Sequence, residues 1–80
     1  MRTYLLCHTH RPHECPVAFA AWSGFDSPLR QQTVLASCEL GGHGLWWTVR
    51  AEDEARALAQ LPGYVAARTE IVEVKEVLVP

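Results

Sequence analysis

Histidine and cysteine side chains are concentrated in one short stretch near the amino terminus. Residues 7–15 read CHTHRPHEC and hold three of the four histidines and two of the three cysteines. On an extended strand, His8 and His10 point to the same side with Cα atoms about 6.5–7 Å apart, so both imidazoles can reach one metal ion. His13 and Cys15 lie beyond a turn and could complete the ligand set. Imidazole and thiolate together suit zinc, nickel or copper, so the stretch predicts a transition-metal site.

The same residues also have an ordinary structural interpretation, and the sequence leaves it open. His10 and His13 would then be loop residues in solvent. Cys7 and Cys15 would pack in the core, one from the first strand and one from the first helix. The chain contains no C-x-x-C pair and no H-E-x-x-H motif, so no established metal-binding signature decides between the two interpretations.

A second candidate site combines four side chains that the predicted sheet would bring to its uncovered face. Tyr4 and His8 of the first strand would neighbour Trp46, and Glu39 would come from the next strand over. A phenol, an imidazole, an indole and a carboxylate around an apolar floor would form a small-molecule site. His8 would be the general base, and Glu39 would orient it or act as an acid. The alternative is a dimer interface anchored by Trp46 and Tyr4.

Three further side chains carry weaker signals. Arg30 follows the predicted turn Ser27-Pro28 and could bind a carboxylate or a phosphate, or else pair with Asp26. Cys38 falls on the apolar face of a predicted hairpin and is expected to pack in the core. His43 is expected in solvent at the hairpin tip. It would join a metal site only if that tip meets the end of the first strand or a partner chain.

Regular elements must position these residues, and the apolar pattern predicts where they lie. Cys15, Phe19 and Trp22 recur with the i, i+4, i+7 spacing of one helical face. Three acids at residues 52–54 favour a helix start, where the helix dipole stabilises negative charge. The alternation of the last strand changes phase at Lys75-Glu76, which indicates a bulge or an end that leaves the sheet. The predicted elements are a strand at 3–9, a helix at 13–23, a hairpin over 33–50, a helix at 52–61 and a strand at 69–79.

The hairpin has a predicted register. Gly41-Gly42 is typical of a two-residue turn, which would place Leu40 opposite His43 and Cys38 opposite Leu45. A one-residue slip would mix the apolar and polar faces, so the pattern supports this register. The resulting core face carries Val34, Ala36, Cys38, Leu40, His43, Leu45, Trp47 and Val49.

The composition limits the fold and excludes several functions. The 80 residues form one small domain, and the proportions of 49% apolar and 20% charged residues are typical of a globular fold. The net charge of −2, without a basic stripe, argues against nucleic-acid binding. Neither a membrane span nor a signal peptide is predicted. We therefore expect a cytoplasmic protein with reduced cysteines.

The predicted order of elements is βαββαβ. With right-handed crossovers this order forms a ferredoxin-like plait, an α+β fold with a four-stranded antiparallel sheet and two helices on one face. The apolar face of the hairpin would lie under the helices, and the mixed face with Leu35 and Trp46 would stay uncovered in a monomer. Uncovered aromatic surface on a small domain indicates a partner. We therefore expect a homodimer formed through the open sheet face.

The chain at this point resembles the dimeric α+β barrel superfamily of short ferredoxin-like proteins. The resemblance is carried by the βαββαβ order, the length, the Gly41-Gly42 hairpin and the mixed open face. The segments FDSPLR at 25–30 and SCELGGHGLWW at 37–47 are also similar to those of small uncharacterised bacterial proteins of this type. The superfamily includes cofactor-free monooxygenases, isomerases, dehydratases, haem-degrading enzymes and small metal binders. The resemblance therefore implies a fold rather than one activity.

Two functions from different classes are predicted. The first is a small homodimeric protein that binds a ligand or a transition metal. Its metal ligands would be His8, His10, His13 and Cys15, and a small ligand would contact Tyr4, His8, Glu39, Trp46 and Arg30. The second is a cofactor-free enzyme of the monooxygenase, isomerase or cyclase type, acting on a small aromatic or polyketide-like substrate through His8 and Glu39. A structural dimer without any ligand is a third hypothesis.

Overall fold

The protein is an α+β domain built on one open antiparallel sheet. The computed structural model describes residues 1–80, except for the side chain of Glu39. The elements are β1 (Arg2–Thr9), α1 (Cys15–Ala20), β2 (Leu35–Ala36), β3 (Gly44–Ala51), α2 (Glu54–Leu58), α3 (Gly63–Ala66) and β4 (Thr69–Val74). Two 3₁₀ turns, at Pro12–Glu14 and Cys38–Leu40, precede α1 and β3. The strands follow the spatial order β2-β3-β1-β4, and each neighbouring pair is antiparallel.

Strand β3 supplies the largest share of the core. Leu45, Trp47, Val49 and Ala51 are buried, whereas the residues between them are exposed. This strict alternation is the pattern of a strand with one face in the core and one outside it. The predicted core face of this strand is therefore confirmed. The buried cluster that it joins also contains Tyr4, Leu6, Ala57, Leu61 and Val65.

Strand β1 has the opposite phase to the predicted one. Tyr4, Leu6 and His8 point into the core, where they are 1%, 0% and 1% exposed. Leu6 lies opposite Trp47 and Tyr4 lies opposite Val49. Both faces of β1 are apolar, so its own alternation does not decide which face is buried. The pairing with β3 decides it, because Leu6 and Tyr4 lie opposite the buried Trp47 and Val49.

The outer face of the sheet carries a row of apolar side chains. Trp46 lies opposite Cys7, on the face away from the core. Leu35 is 76% exposed, Val72 is 51% exposed and Trp46 is 38% exposed. Leu5 is half-buried on the same face. This surface is called the open face below.

The hairpin register differs from the predicted register by two residues. Ala36 lies opposite Leu45 and Leu35 lies opposite Trp46, whereas a two-residue turn would pair Ala36 with Trp47. A shift by two leaves Leu35 on the face of Trp46 and Ala36 on the face of Leu45, because the side-chain period of a strand is two. The prediction that Leu40 lies on the core face is wrong, because Leu40 belongs to the 3₁₀ turn and is 88% exposed.

Ser37 causes this shift by closing a longer loop. Its backbone N–H donates to Gly44 O at 2.9 Å, and its hydroxyl oxygen accepts from Gly44 N at 3.0 Å. Its carbonyl oxygen accepts from Leu40 N and Gly42 N at 3.0 and 2.9 Å. Gly41 ends the 3₁₀ turn with φ of 90°, in the left-handed region that favours glycine. The loop therefore spans the residues between Ser37 and Gly44.

The helices are shorter than predicted. α1 covers only Cys15–Ala20 of the predicted 13–23, and α2 covers only Glu54–Leu58 of the predicted 52–61. Asp53 caps α2, since its carboxylate accepts from Arg56 N at 2.8 Å. Strand β4 ends at Val74 rather than at residue 79. Of the two alternatives predicted for Lys75-Glu76, a bulge or an end that leaves the sheet, the structure has the end. Within the described residues, no helix has the length and apolar character needed to cross a membrane.

Candidate metal centre

The end of β1 meets the tip of the β2–β3 loop. The backbone N–H of His10 donates to His43 O at 3.1 Å, so the chain continues to follow β3 for one residue beyond β1. On its other side, Thr9 N donates to Arg68 O at 3.1 Å. These two bonds hold the segment that leaves β1 between the hairpin tip and the start of β4. The condition under which His43 would join a metal site is therefore met.

Four metal-ligating side chains converge at this junction. His10, Cys15, Cys38 and His43 each offer one ligand atom, and these four atoms lie within 4.8 Å of one another. His10 is buried and the other three are half-buried. Two thiolates and two imidazoles form one of the commonest ligand sets of tetrahedral zinc sites. The group could therefore hold a metal ion.

Two buried nitrogens in this group lack a hydrogen-bond partner among the described residues. His10 Nε2 and His43 Nδ1 are both buried, and neither has a hydrogen-bond partner among the described residues. Their rings lie 5.3 Å apart between centroids. A buried polar atom without a partner costs about 1–3 kcal/mol. A metal ion bound between the two rings would give both lone pairs a partner, so the residues present fit such an ion.

Each ligand pair comes from one short turn. His10 and Cys15 flank the 3₁₀ turn Pro12–Glu14, whereas Cys38 begins the turn Cys38–Leu40 and His43 follows it. In both cases four residues separate the histidine from the cysteine. A 3₁₀ helix completes one turn in three residues with a short rise, so the two candidate ligands on either side of it can approach one point.

Glu14 fastens the first of these turns to α3 and to Arg68, the residue before β4. Its Oε1 accepts from Arg11 N at 2.8 Å, which closes the turn. Its Oε2 accepts from Arg68 Nε at 3.0 Å and from Tyr64 Oη at 3.2 Å. The hydrogen bonds from Arg11 N and the Arg68 guanidinium lower the pKa of Glu14 to about 2. Cys15 is thus held by the residue directly before it.

His8 lies beside the four ligands but outside the group. Its Nε2 is 2.9 Å from His10 Nδ1, and its Nδ1 is 3.2 Å from Val65 O. Burial lowers the pKa of His8. Burial, followed by the charge of His43, lowers the pKa of His10. Both shifts favour the neutral imidazole, which is the form that binds metals.

The structure keeps part of the predicted ligand set and replaces the rest. His10 and Cys15 belong to the four-residue group. His8 and His13 do not, and His13 is exposed in the turn before α1. His43 was predicted to join a metal site only under the condition that is met here, and Cys38 was expected to pack in the core rather than to bind a metal. The mirrored spacing of His10 to Cys15 and of Cys38 to His43 is a signal that could have identified them.

The predicted small-molecule site does not form on the open face. Tyr4 and His8 lie on the core face, whereas Trp46 lies on the open face. The proposed neighbourhood of these three residues is therefore wrong, because β1 has the opposite phase. The side chain of Glu39, the fourth member, lies outside the described part of the chain.

Arg30 lies apart from the metal centre. It lines a cleft of about 270 Å³ together with Phe19, Trp22 and Trp47. Its Nη1 donates to Phe25 O at 3.4 Å. Its predicted pairing with Asp26 is not among the ion pairs of the described residues.

Comparisons with known proteins identify no relative. No protein-family model, curated protein or solved structure matches this chain. The assignment of function therefore depends on the geometry of the metal centre.

Proposed function

We propose that this protein is a small transition-metal-binding domain whose ligands are His10, Cys15, Cys38 and His43. One observation carries the proposal: two histidines, each with a buried nitrogen that lacks a hydrogen-bond partner among the described residues, converge with two cysteines. Thiolate and imidazole are the ligand types that transition metals such as zinc and copper prefer, and binding at a site formed only in the folded chain also stabilises the fold.

Zinc is the ion that this ligand set favours. Two sulfurs and two nitrogens satisfy the tetrahedral preference of Zn²⁺, whereas Cu²⁺ and Ni²⁺ favour square-planar or tetragonal arrangements. Four protein ligands leave no open position for a water molecule. Such a closed site holds an ion for structure or for transfer rather than activating water.

The ion would connect two segments that are far apart in the sequence. His10 and Cys15 flank the turn that leads into α1, whereas Cys38 and His43 flank the turn of the β2–β3 hairpin. Only one backbone hydrogen bond, from His10 N to His43 O, is described between these ligand residues. We propose that the metal fixes the hairpin tip against the start of α1.

We further propose that two copies pair through their open faces in a ferredoxin-like dimeric α+β barrel. The sheet order β2-β3-β1-β4 is the order of a ferredoxin-like plait and supports this arrangement. Exposed Leu35, Trp46 and Val72 form an apolar surface that a partner would cover.

Two charged residues lie at diagonally opposite corners of the open face. Arg50 pairs with Thr3 of β1, and Glu70 pairs with Cys7 of β1. A twofold axis between two copies can therefore place Arg50 of each copy beside Glu70 of the other.

Native mass spectrometry and elemental analysis of untagged protein test the metal site. We expect a dimer with about one zinc ion per chain. Cys38→Ser and His43→Ala should each abolish stoichiometric zinc. Cys7→Ser and His13→Ala are matched controls, because both residues lie outside the four-residue group, and they should retain zinc. Wild-type protein without metal, or full zinc occupancy in Cys38→Ser, would contradict the proposed site.

A further inference from the structure

We propose that His8 is a positioning residue that sets the tautomer of His10 and thereby directs the Nε2 lone pair of His10 toward the metal. The proposal rests on the proposed function, since it assigns a supporting role to a residue outside the ligand set. It is carried by a chain of hydrogen bonds that runs from a backbone carbonyl through two imidazole rings.

The proton of the neutral His8 ring lies on Nδ1. This nitrogen faces Val65 O at 3.2 Å and Thr69 Oγ1 at 3.3 Å. A carbonyl oxygen can only accept. The Thr69 hydroxyl uses its own hydrogen to donate to the same carbonyl at 2.7 Å, so toward His8 it also acts as an acceptor. Two acceptors therefore require His8 Nδ1 to carry a proton.

The proton on His8 Nδ1 also determines the tautomer of His10. A neutral imidazole has one N–H, so a proton on Nδ1 of His8 leaves a lone pair on its Nε2. That Nε2 lies 2.9 Å from His10 Nδ1. Two lone pairs at this distance would repel each other. His10 must therefore donate from Nδ1, and this assignment leaves its Nε2 without a proton.

The lone pair on His10 Nε2 is then available to a metal ion. His10 Nε2 is the buried nitrogen that lacks a partner among the described residues. It is also the His10 nitrogen left to bind a metal, because Nδ1 is engaged with His8. Metal-binding histidines commonly donate their other N–H to an oxygen acceptor, which fixes the ring and raises its basicity. Here an imidazole nitrogen occupies the position of that acceptor.

The surroundings of His8 hold its ring in place. His8 is 1% exposed, lies opposite Leu45 in the sheet and has its ring 6.3 Å from the Trp47 ring. Both of its nitrogens are hydrogen-bonded. These bonds offset the free-energy cost of burying a polar imidazole.

A pair of substitutions separates the relay from simple packing. His8→Leu introduces an apolar side chain that can still pack in the core but removes the hydrogen-bond acceptor. His8→Gln introduces an amide oxygen that can accept from His10 Nδ1. Zinc affinity would be measured by competition with a chelator. We expect a roughly 10- to 100-fold loss for His8→Leu and a smaller loss for His8→Gln. Equal affinities of His8→Leu and wild type would overturn the proposal.

Cobalt binding adds a readout that packing alone would not change. Co²⁺ in place of zinc reports its ligands through its visible absorption bands. We expect His8→Gln to retain the wild-type bands and His8→Leu to shift or weaken them, because the His10 ring is no longer fixed. Unchanged bands in His8→Leu would count against the relay.

Nitrogen-15 NMR of the metal-free wild type tests the relay without any variant that might fail to fold. We expect both His8 and His10 as the Nδ1–H tautomer, and an Nε2–H tautomer of His10 would overturn the proposal. Wild-type protein that takes up no zinc would instead contradict the proposed function, while the NMR result would still decide the tautomers.

Discussion

At the scale of single residues, burial rather than residue type decides what each side chain does. His8 and His13 are both histidines of the same short stretch, yet one is 1% exposed with both nitrogens bonded and the other lies in solvent. Leu6 and Leu40 differ in the same way, at 0% and 88% exposed. Substitutions at such pairs therefore test the structure directly.

Leu6→Ala should be strongly destabilising. Leu6 is fully buried beside Trp47, so its truncation removes apolar contacts and leaves a cavity. We expect a loss of about 2–5 kcal/mol in the free energy of unfolding, measured by urea denaturation. Leu40→Ala is the matched control and should change it by less than about 0.5 kcal/mol. Equal losses for both variants would contradict the assigned phase of β1.

At the scale of elements, the hairpin loop and the turn before α1 matter because they carry the four candidate metal ligands. Ser37 closes the hairpin loop through Gly44, and Glu14 ties the turn to Arg68. Neither contact involves a candidate ligand directly. Both contacts limit how far the two pairs of candidate ligands can move apart.

Gly41→Ala should weaken both the fold and metal binding. Gly41 has φ of 90° with open space around it, so an added Cβ would meet only backbone strain. We expect a loss of about 1 kcal/mol in the free energy of unfolding and a weaker affinity for zinc, because Cys38 and His43 flank this glycine. Gly63→Ala, at the start of α3 and also in open space, should be neutral or stabilising by about 0.4–1 kcal/mol.

Removal of metal should lower thermal stability. A ligand that binds only the folded state stabilises it by about 2.7 kcal/mol when its free concentration is 100 times its Kd. We expect a strong chelator to lower the melting temperature of wild-type protein measured by calorimetry, and added zinc to restore it. Cys38→Ser should melt at the same temperature with and without zinc. A zinc-dependent rise in that variant would place the ion elsewhere.

At the scale of the whole molecule, the open face exposes apolar side chains that no other element of the described chain covers. A domain of 80 residues buries only about 60–65% of the surface that its unfolded chain exposes. Pairing of two open faces would increase the apolar surface that each copy buries. The exposed apolar residues Val77, Leu78 and Val79 continue from β4 beyond the sheet.

Trp46→Glu should dissociate the proposed dimer. It places a charge at the centre of the apolar surface, where a partner would have to desolvate it. We expect a monomer by sedimentation velocity at concentrations at which the wild type is dimeric. Val17→Glu, a half-exposed position on α1, is the control and should remain dimeric. A wild-type monomer, or a dimeric Trp46→Glu, would contradict pairing through this face.

Local patterns predicted those features that a single segment determines by itself. The alternation of Leu45, Trp47 and Val49 defines the core face of β3 because every second side chain points the same way. The departure of the chain from the sheet after Val74 follows from the same kind of pattern. The ligand types His10 and Cys15 were also evident from their clustering.

Tertiary structure decided the features that depend on two segments at once. β1 is apolar on both faces, so only its pairing with β3 selected Tyr4, Leu6 and His8 for the core. Cys38 and His43 become metal-ligand candidates only because the hairpin tip meets the end of β1, through contacts that no local pattern encodes. The sequence by itself thus determined which residue types could bind a metal, and packing between distant segments determined which four of them converge.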